Sequence, residues 1–373
     1  MKNKILFLAT DGYQPTIIES QLIELKKNIE KRNDNHCRVL FFVFSKSEKA
    51  IALNKYNDVI VLLGIKKALP FARFINSIIL AINLFKNKIY PDIIHCRTES
   101  SLSISLFVKF FCNSKLIWDC RGLSYEEYIF IIKPNRIIKL YKYLQYKIDI
   151  IFAKLFCDKA IFVSKDLRDY YSFNHTNKPS YIIPCLSNNE LFFYSESLRD
   201  KMRNELGFTE KNKVIITIGS NSKWQNINET VDFFIDLFEE NPNYKLLLLT
   251  NGKIKNHPNI ISKFVNYSEV NNYLNAADFA FFTRDDLVLN NVASPVKFSE
   301  FSMSGLTVIQ NGNVNQVEEF GSIIGNIISL NFIKSKIKKP NNSRDVVMSK
   351  SMEFYSMSSY KDVYDSIYKT YKD

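Results

Sequence analysis

Residues 4–10 read KILFLAT, an unbroken apolar run that stops at Asp11-Gly12. A run this short, with no polar residue alternating through it, suits a strand covered on both faces, as in a parallel sheet. The pattern recurs at 38–43 (RVLFFV), 58–63 (DVIVLL), 92–95 (DIIH), 115–118 (KLIW), 159–163 (KAIFV) and 181–183 (YII). Stretches of helical character lie between most of these runs, at 17–32, 71–87, 100–111, 133–156 and 164–171. Short buried strands alternating with helices predict an α/β fold with a parallel, doubly wound sheet.

A second alternation begins after residue 200. KVIITIG (213–219) is a strand with glycine at its carboxyl end, ETVDFFIDLFEEN (229–241) an amphipathic helix, and KLLLLTNG (245–252) the next strand. Strands at 263–265 and 279–282 flank a helix at 268–275, and a strand follows at 306–310. A chain of 373 residues with 46% apolar content is long enough for two cores. The boundary falls near 184–200, where Pro184 and SNNE (187–190) read as a linker. The expected division is a first domain over 1–187, a second over 188–355, and a tail over 356–373. The tail contains the helical SSYKDVYDSIYKTY (358–371), which crosses back to brace the first domain. Ligands in such a layout bind outside the carboxyl ends of the strands.

Several chemistries lack their motif. No GxGxxG follows the first strand, and neither GxxxxGK[ST], GxSxG nor HExxH occurs. There is no Asp-x-Asp to hold a metal on a diphosphate, and the four histidines (36, 95, 175, 257) are scattered. The six cysteines (37, 96, 112, 120, 157, 185) form no CxxC, and no signal peptide precedes the first strand. The expectation is free thiols in a reducing cytoplasm.

The stretch with most chemical content is SPVKFSEF (294–301), with Gly305 and an apolar strand after it. Ser294 fits a helix N-cap, Pro295 the first helical position, and Gly305 the left-handed residue past the helix end. A helix start favours an anion, and Lys297 would add a charge one turn in, with Glu300 on the same face. The residues alone equally allow a surface Lys297–Glu300 ion pair worth only ~0.2–0.5 kcal/mol.

SPVKFSEFSMSGLTVI (294–309) resembles the donor-site segment of GT-B glycosyltransferases, in particular the large retaining glycosyltransferase family 4. Thr307 stands where that family usually has proline. Val292 stands where the first of its two signature glutamates would fall, and Glu300 matches the second. YLNAADFAFFTRDD (273–286) is similar to the family's L-x-x-A-D segment. TIGSNSKWQN (217–226) lies where the family has a diphosphate-binding loop, with Ser220 replacing its arginine and Lys223 displaced toward the strand. In the first half, PDIIHCR (91–97) and LIWDCRGLSYEE (116–127) resemble acceptor-side strands. FVSKDLRDYY (162–171) and IIPCLSNNELF (182–192) resemble the segments that close the first domain.

The resemblance implies a GT-B fold, two Rossmann-like domains facing across a cleft, and transfer of a sugar from a nucleotide sugar. Retention of configuration and independence of metal come with it, and no cofactor is expected. Donor contacts would come from Gly219, Ser220, Lys223, Gln225, Arg284, Ser294, Lys297 and Glu300, the last at the ribose. Acceptor contacts would come from Gly12, His95, Arg97, Asp119 and Arg121. Asp119 and Glu300 are the catalytic candidates. Each has a plainer reading: Lys223 as a solvated loop residue, Arg284 as partner of Asp285 or Asp286, Asp119 as partner of Arg121, His95 as a satisfied core histidine.

The net charge of +12 points to an anionic ligand, and no recognition motif for nucleic acid accompanies it. Part of it concentrates in KPNRIIKLYKYLQYKIDIIFAK (133–154), six Lys/Arg against one Asp interleaved with apolar residues. This is either a basic amphipathic helix for an anionic membrane surface or a solvated face over the first core. The longest apolar run, 74–85, is too short to span a bilayer. The expected protein is a cytoplasmic glycosyltransferase, peripheral at the inner face of the cell membrane. It would act on a glycan or undecaprenyl-linked acceptor in O-antigen or capsule assembly. A GT-B nucleotide-sugar epimerase and a non-catalytic nucleotide-sugar or glycan-binding protein are the alternatives.

Overall fold

The computed structural model describes residues 3–32, 35–66, 69, 71–219, 227–252, 257–330, 337 and 342–369. The chain divides into two compact units, Met1–Ile183 with Lys361–Asp373, and Pro184–Tyr360.

The first unit is built on seven strands: β1 (Lys4–Ala9), β2 (His36–Val43), β3 (Ile60–Leu63), β4 (Ile93–Arg97), β5 (Lys115–Cys120), β6 (Lys159–Phe162) and β7 (Ser180–Ile182). They lie in the order β3-β2-β1-β4-β5-β6-β7, and every pair is parallel. The apolar runs are central for the expected reason: Ile5–Leu8, Leu40–Val43 and all of β4 are buried, so neither sheet face tolerates a polar alternation. The order reverses between β1 and β4, which pair directly with Ala9 beside Arg97. That reversal opens a crevice at the strand carboxyl ends.

The second unit repeats the plan with six strands: β8 (Lys213–Ile218), β9 (Tyr244–Leu249), β10 (Ile260–Lys263), β11 (Phe279–Phe282), β12 (Thr307–Gln310) and β13 (Ile327–Ser329). The order is β10-β9-β8-β11-β12-β13, again all parallel, with the reversal between β8 and β11. One core lies on each sheet face. Phe298, Phe301 and Leu306 join one of them, and Phe234, Leu246 and Phe281 the other.

The structure corrects several sequence expectations. The strand placed at 263–265 lies at Ile260–Lys263, and β13 was not anticipated. Before the helix expected over 133–156 lies one that was not anticipated, Ser124–Ile132, and the expected helix itself spans Arg136–Phe156. Lys133 takes a left-handed conformation (φ 48°) that ends the first, and the Asn135 side chain caps the second by accepting from Ile138 N at 2.9 Å. The tail helix, Lys361–Tyr368, packs in the first unit, where Tyr368 and Ile367 are buried and Lys159 donates to the Ser366 and Ile367 carbonyls.

Candidate active sites at the two sheet reversals

At the second unit's reversal, Pro295 takes an extended conformation (φ −76°, ψ 121°) and the helix Val296–Met303 starts after it. Ser294 is therefore not the N-cap. Its hydroxyl accepts from the Cys185 amide at 2.8 Å, and no side chain caps the helix. The registry is one residue later than the sequence suggested, because Ser294 is recruited to fasten the segment beginning at Pro184. Gly305 does take the left-handed conformation, φ 73°, and an added Cβ would meet the Arg344 carbonyl at 2.5 Å.

Lys297 and Glu300 both point inward, which excludes the surface ion pair. Lys297 Nζ donates to the Ile218 carbonyl, the last of β8, at 2.6 Å. Burial brings its ammonium down to about 7, with the Arg284 charge acting in the same direction and Glu300 opposing. Glu300 is 4% exposed, and burial pushes its carboxyl up to about 7 against the Tyr267 hydrogen bond and the Lys297 charge. Tyr267 Oη donates to Glu300 Oε1 at 2.8 Å. Arg284, two residues past β11, stacks its guanidinium 4.6 Å from the Phe282 ring centroid. Burial lowers it to about 10, with Asp285 opposing. Its backbone is clamped by Asn311 and Asn313, whose amides donate to the Arg284 carbonyl at 2.7 and 2.8 Å.

These groups are brought together by topology. β8 and β11 end side by side, so residues some eighty positions apart meet at one rim. Gly219 closes β8 by donating to the Leu249 carbonyl at 3.0 Å. Ser220, Lys223 and Gln225 lie outside the described residues. Val292 is buried at the end of the short helix Val288–Asn291, so this position offers no carboxylate. Tyr267, Asn311 and Asn313 escaped the sequence reading. The Asn-Gly-Asn run at 311–313, directly after a strand, was the available signal for two of them; Tyr267 carried none.

At the first unit's reversal a cavity of about 470 Å³ opens, lined by residues including Asp11, Arg97, Arg121, Glu127 and Tyr146. Arg97 holds Asp11 (Nη1–Oδ2 2.5 Å) and Gln21 (Nε–Oε1 3.0 Å). Arg121 is oriented by Asp119, Nε to carboxylate 2.8 Å. Asp119 itself is 2% exposed. Burial works to raise its carboxyl, but the Arg121 charge and the His95 hydrogen bond outweigh it and hold the group well below the usual carboxylate range. His95 is a fully buried core histidine, with Nε2 3.0 Å from Asp119 and Nδ1 2.9 Å from Tyr368 Oη. Gly12 does not line the cavity; its φ of 85° turns the chain directly after Asp11.

Of the Glu126–Glu127 pair, Glu127 faces the cavity while Glu126 accepts from the Tyr170 hydroxyl at 2.8 Å. Burial raises the Glu127 carboxyl, with Arg97 opposing. A Cβ at Gly122 would sit 2.7 Å from Glu127 Oε1, so the glycine makes room for this carboxylate. Thr98, on the rim, holds φ 77° and ψ 160°, a conformation rare for a β-branched residue and of the kind that concentrates at functional sites. A cavity-facing carboxylate with a raised pKa holds a proton more readily than an ordinary one; one held far down is suited to positioning. By that criterion Glu127 is the better-placed acid–base group, and Asp119 fixes Arg121.

The fold occurs in solved structures along the whole chain. HepE from Anabaena, in complex with UDP-glucose, superposes with a TM-score of 0.66 at 14% identity, over 98% of this chain and 99% of that one. Sucrose-phosphate synthase from Thermosynechococcus elongatus gives 0.65 at 11%, over 98% of each chain. The lipopolysaccharide outer core galactosyltransferase WaaB gives 0.62 at 11%, over 98% and 99%. The architecture is thus that of the GT-B glycosyltransferases. No family model matches the chain, and no curated protein sequence matches it.

Proposed function

We propose that the protein is a glycosyltransferase that takes a nucleotide-diphosphate sugar in its second unit and an acceptor hydroxyl in its first. The observation that carries this reading is the convergence of Lys297, Arg284 and Glu300 on the carboxyl ends of β8 and β11. Two half-buried cations whose charge is disfavoured by their surroundings, beside a helix start, suit a diphosphate. Glu300 suits a pair of ribose hydroxyls. In transfer, the bond from the sugar's anomeric carbon to the diphosphate oxygen breaks and the diphosphate leaves with the electron pair. The acceptor oxygen bonds to that carbon on the face the diphosphate leaves, as retention requires, and its proton passes to the departing diphosphate oxygen. Lys297, Arg284 and the helix start offset the leaving charge in place of a metal ion. Retention of configuration, and a role in surface polysaccharide assembly on a glycan acceptor, belong to this reading through the resemblance of the 273–309 segments. The fold neighbours that handle UDP-glucose or build lipopolysaccharide support it.

The test is a thermal-shift screen of nucleotides and nucleotide sugars, followed by turnover with the sugar that binds. A ligand at one hundred times its Kd stabilises the folded form by ~2.7 kcal/mol. Lys297→Met is expected to lose both the shift and the transfer while keeping its circular dichroism. A bound sugar nucleotide that is epimerised with no acceptor present would favour the epimerase. Binding without any turnover would favour a binding protein, the reading that Val292 supports.

A further inference from the structure

The helix Arg136–Phe156 carries two apolar stripes. One, with Tyr146, Ile150 and Ala153, is buried in the first unit and includes Asp149, held by the Arg73 guanidinium at 2.7 Å. The other is Ile137, Leu140, Leu144, Ile148, Ile151 and Leu155. It recurs every three or four residues along the whole helix, yet each member is between 50% and 81% exposed. A single exposed leucine means nothing, but a continuous stripe of this length marks a surface that is covered in use. The patch extends sideways. The helix Glu99–Cys112 packs between this helix and Ala72–Lys86, and brings Phe107, Phe110 and Phe111 to the surface. Phe110 touches Phe156 (ring centroids 5.8 Å) and Phe107 touches Phe74 (5.8 Å), which joins the three helices into one apolar face.

Charge decides what covers this face. The three helices together hold eight Lys and Arg but only two carboxylates, Glu99 and Asp149, and both carboxylates are buried. Arg136, Lys139 and Lys147 flank the exposed stripe, and Lys147 lies over the Tyr143 ring at 5.2 Å. Packing against a second copy in a two-fold dimer would set these cations against the same cations with no carboxylate between them. A bilayer with anionic headgroups accepts both components at once: the apolar stripe enters the acyl boundary and the lysines meet the phosphates. Among the described residues no helix is long and apolar enough to cross a membrane, so the helix would lie in the interface plane.

We infer that the helices 72–86, 99–112 and 136–156 form a docking surface for an anionic lipid bilayer. The first unit's cavity adjoins it, because Ile131, Lys142 and Tyr146 line that cavity from the helices 124–132 and 136–156. Resting on the transferase reading, the acceptor is then a membrane amphiphile. Its polar head enters the cavity beside Arg97 and Arg121 while its chain stays in the lipid.

The full chain should be sedimented with vesicles of phosphatidylcholine alone and with phosphatidylglycerol added. Binding is expected only with the anionic lipid, and released by salt. The double variant Leu144→Glu/Ile148→Glu should weaken it by more than about tenfold. Lys139→Ala and Lys147→Ala should each weaken it by about fivefold, the effect of one cation at such a surface. All variants should keep the wild-type circular dichroism and the nucleotide-induced thermal shift, so a failed donor reading and a failed docking surface are told apart. Equal binding to both vesicles, or unchanged binding by the glutamate variant, overturns the proposal. A dimer in analytical ultracentrifugation that Leu144→Glu dissolves, with no vesicle binding, assigns the face to a second copy instead.

Discussion

The two sheet reversals have the same topology and opposite electrostatics. In the first unit the buried carboxylate, Asp119, is surrounded by Arg121 and His95, and ionisation is made easier than in water. In the second, Glu300 is buried and Lys297 half-buried with too little compensation, and both are driven toward neutrality near pH 7. A buried charge that is fully paired is part of the scaffold. One left short of partners is a place where a ligand's charge would be rewarded, and such groups concentrate at functional sites. Near the strand carboxyl ends of the two sheets, the first unit thus carries a paired charge and the second carries charges that lack full compensation.

The sharpest way to break this contrast is to remove one charge from each side. Asp119→Ala leaves Arg121 and His95 buried without their carboxylate and should cost about 3–5 kcal/mol in urea unfolding. Lys297→Met removes a charge that burial already disfavours, so its stability should equal or exceed wild type. Its turnover should nevertheless fall by about 10²–10³, the usual loss of one donor to a developing charge. Equal destabilisation by the two variants would erase the distinction.

The pH dependence sharpens it further. Asp119 has a depressed pKa, so its contribution is complete above the ordinary carboxylate value of about 4 and is lost as the pH falls below it. Glu300 is raised from 4.5 to about 7, so it penalises the folded state increasingly as the pH rises through that interval. Lys297 is lowered from 10.5 to about 7, so its penalty is relieved as the pH rises from 7 toward 10.5. The second site therefore contributes a shallow dip in stability centred near pH 7. Unfolding measured across pH should show it, and Glu300→Gln/Lys297→Met should flatten it. Nucleotide-diphosphate affinity should weaken above pH 7, approaching tenfold per pH unit while Lys297 is losing its proton. An affinity constant from pH 6 to 9 would count against Lys297 as the phosphate contact.

The smallest expected effect is that of Tyr267→Phe. Losing this hydrogen bond, one of the influences that lower Glu300, should cost about 1 kcal/mol in nucleotide-sugar binding, measured calorimetrically, and move the Glu300 titration upward. An unchanged titration would show that Tyr267 packs on Phe192 without tuning the carboxylate.

Much of this was legible in the chain itself. KILFLAT and KVIITIG admit little but buried parallel strands, because period and composition exclude a solvated face. Gly305 declared the end of its helix, since few residues other than glycine fit so close to the Arg344 carbonyl in a left-handed conformation. Ser294 was misread because a hydroxyl beside a helix start has two uses, and the choice depended on the Cys185 amide, more than a hundred residues away. The helix expected over 133–156 was legible from its periodicity, while its start at Arg136 was set by the Asn135 cap. For His95 and Asp119 the sequence left a cleft and a plainer reading open, and Tyr368, from the far end of the chain, supplied the second partner of the imidazole.

The sequence by itself determined the elements, the two parallel sheets and the presence of cations near strand ends, because these follow from local periodicity and turn chemistry. Only the tertiary structure decided which charged groups are compensated and which are not, and which stripe of helix 136–156 is left in solvent. Burial and pairing are properties of neighbours brought together from distant parts of the chain, and no local pattern specifies them.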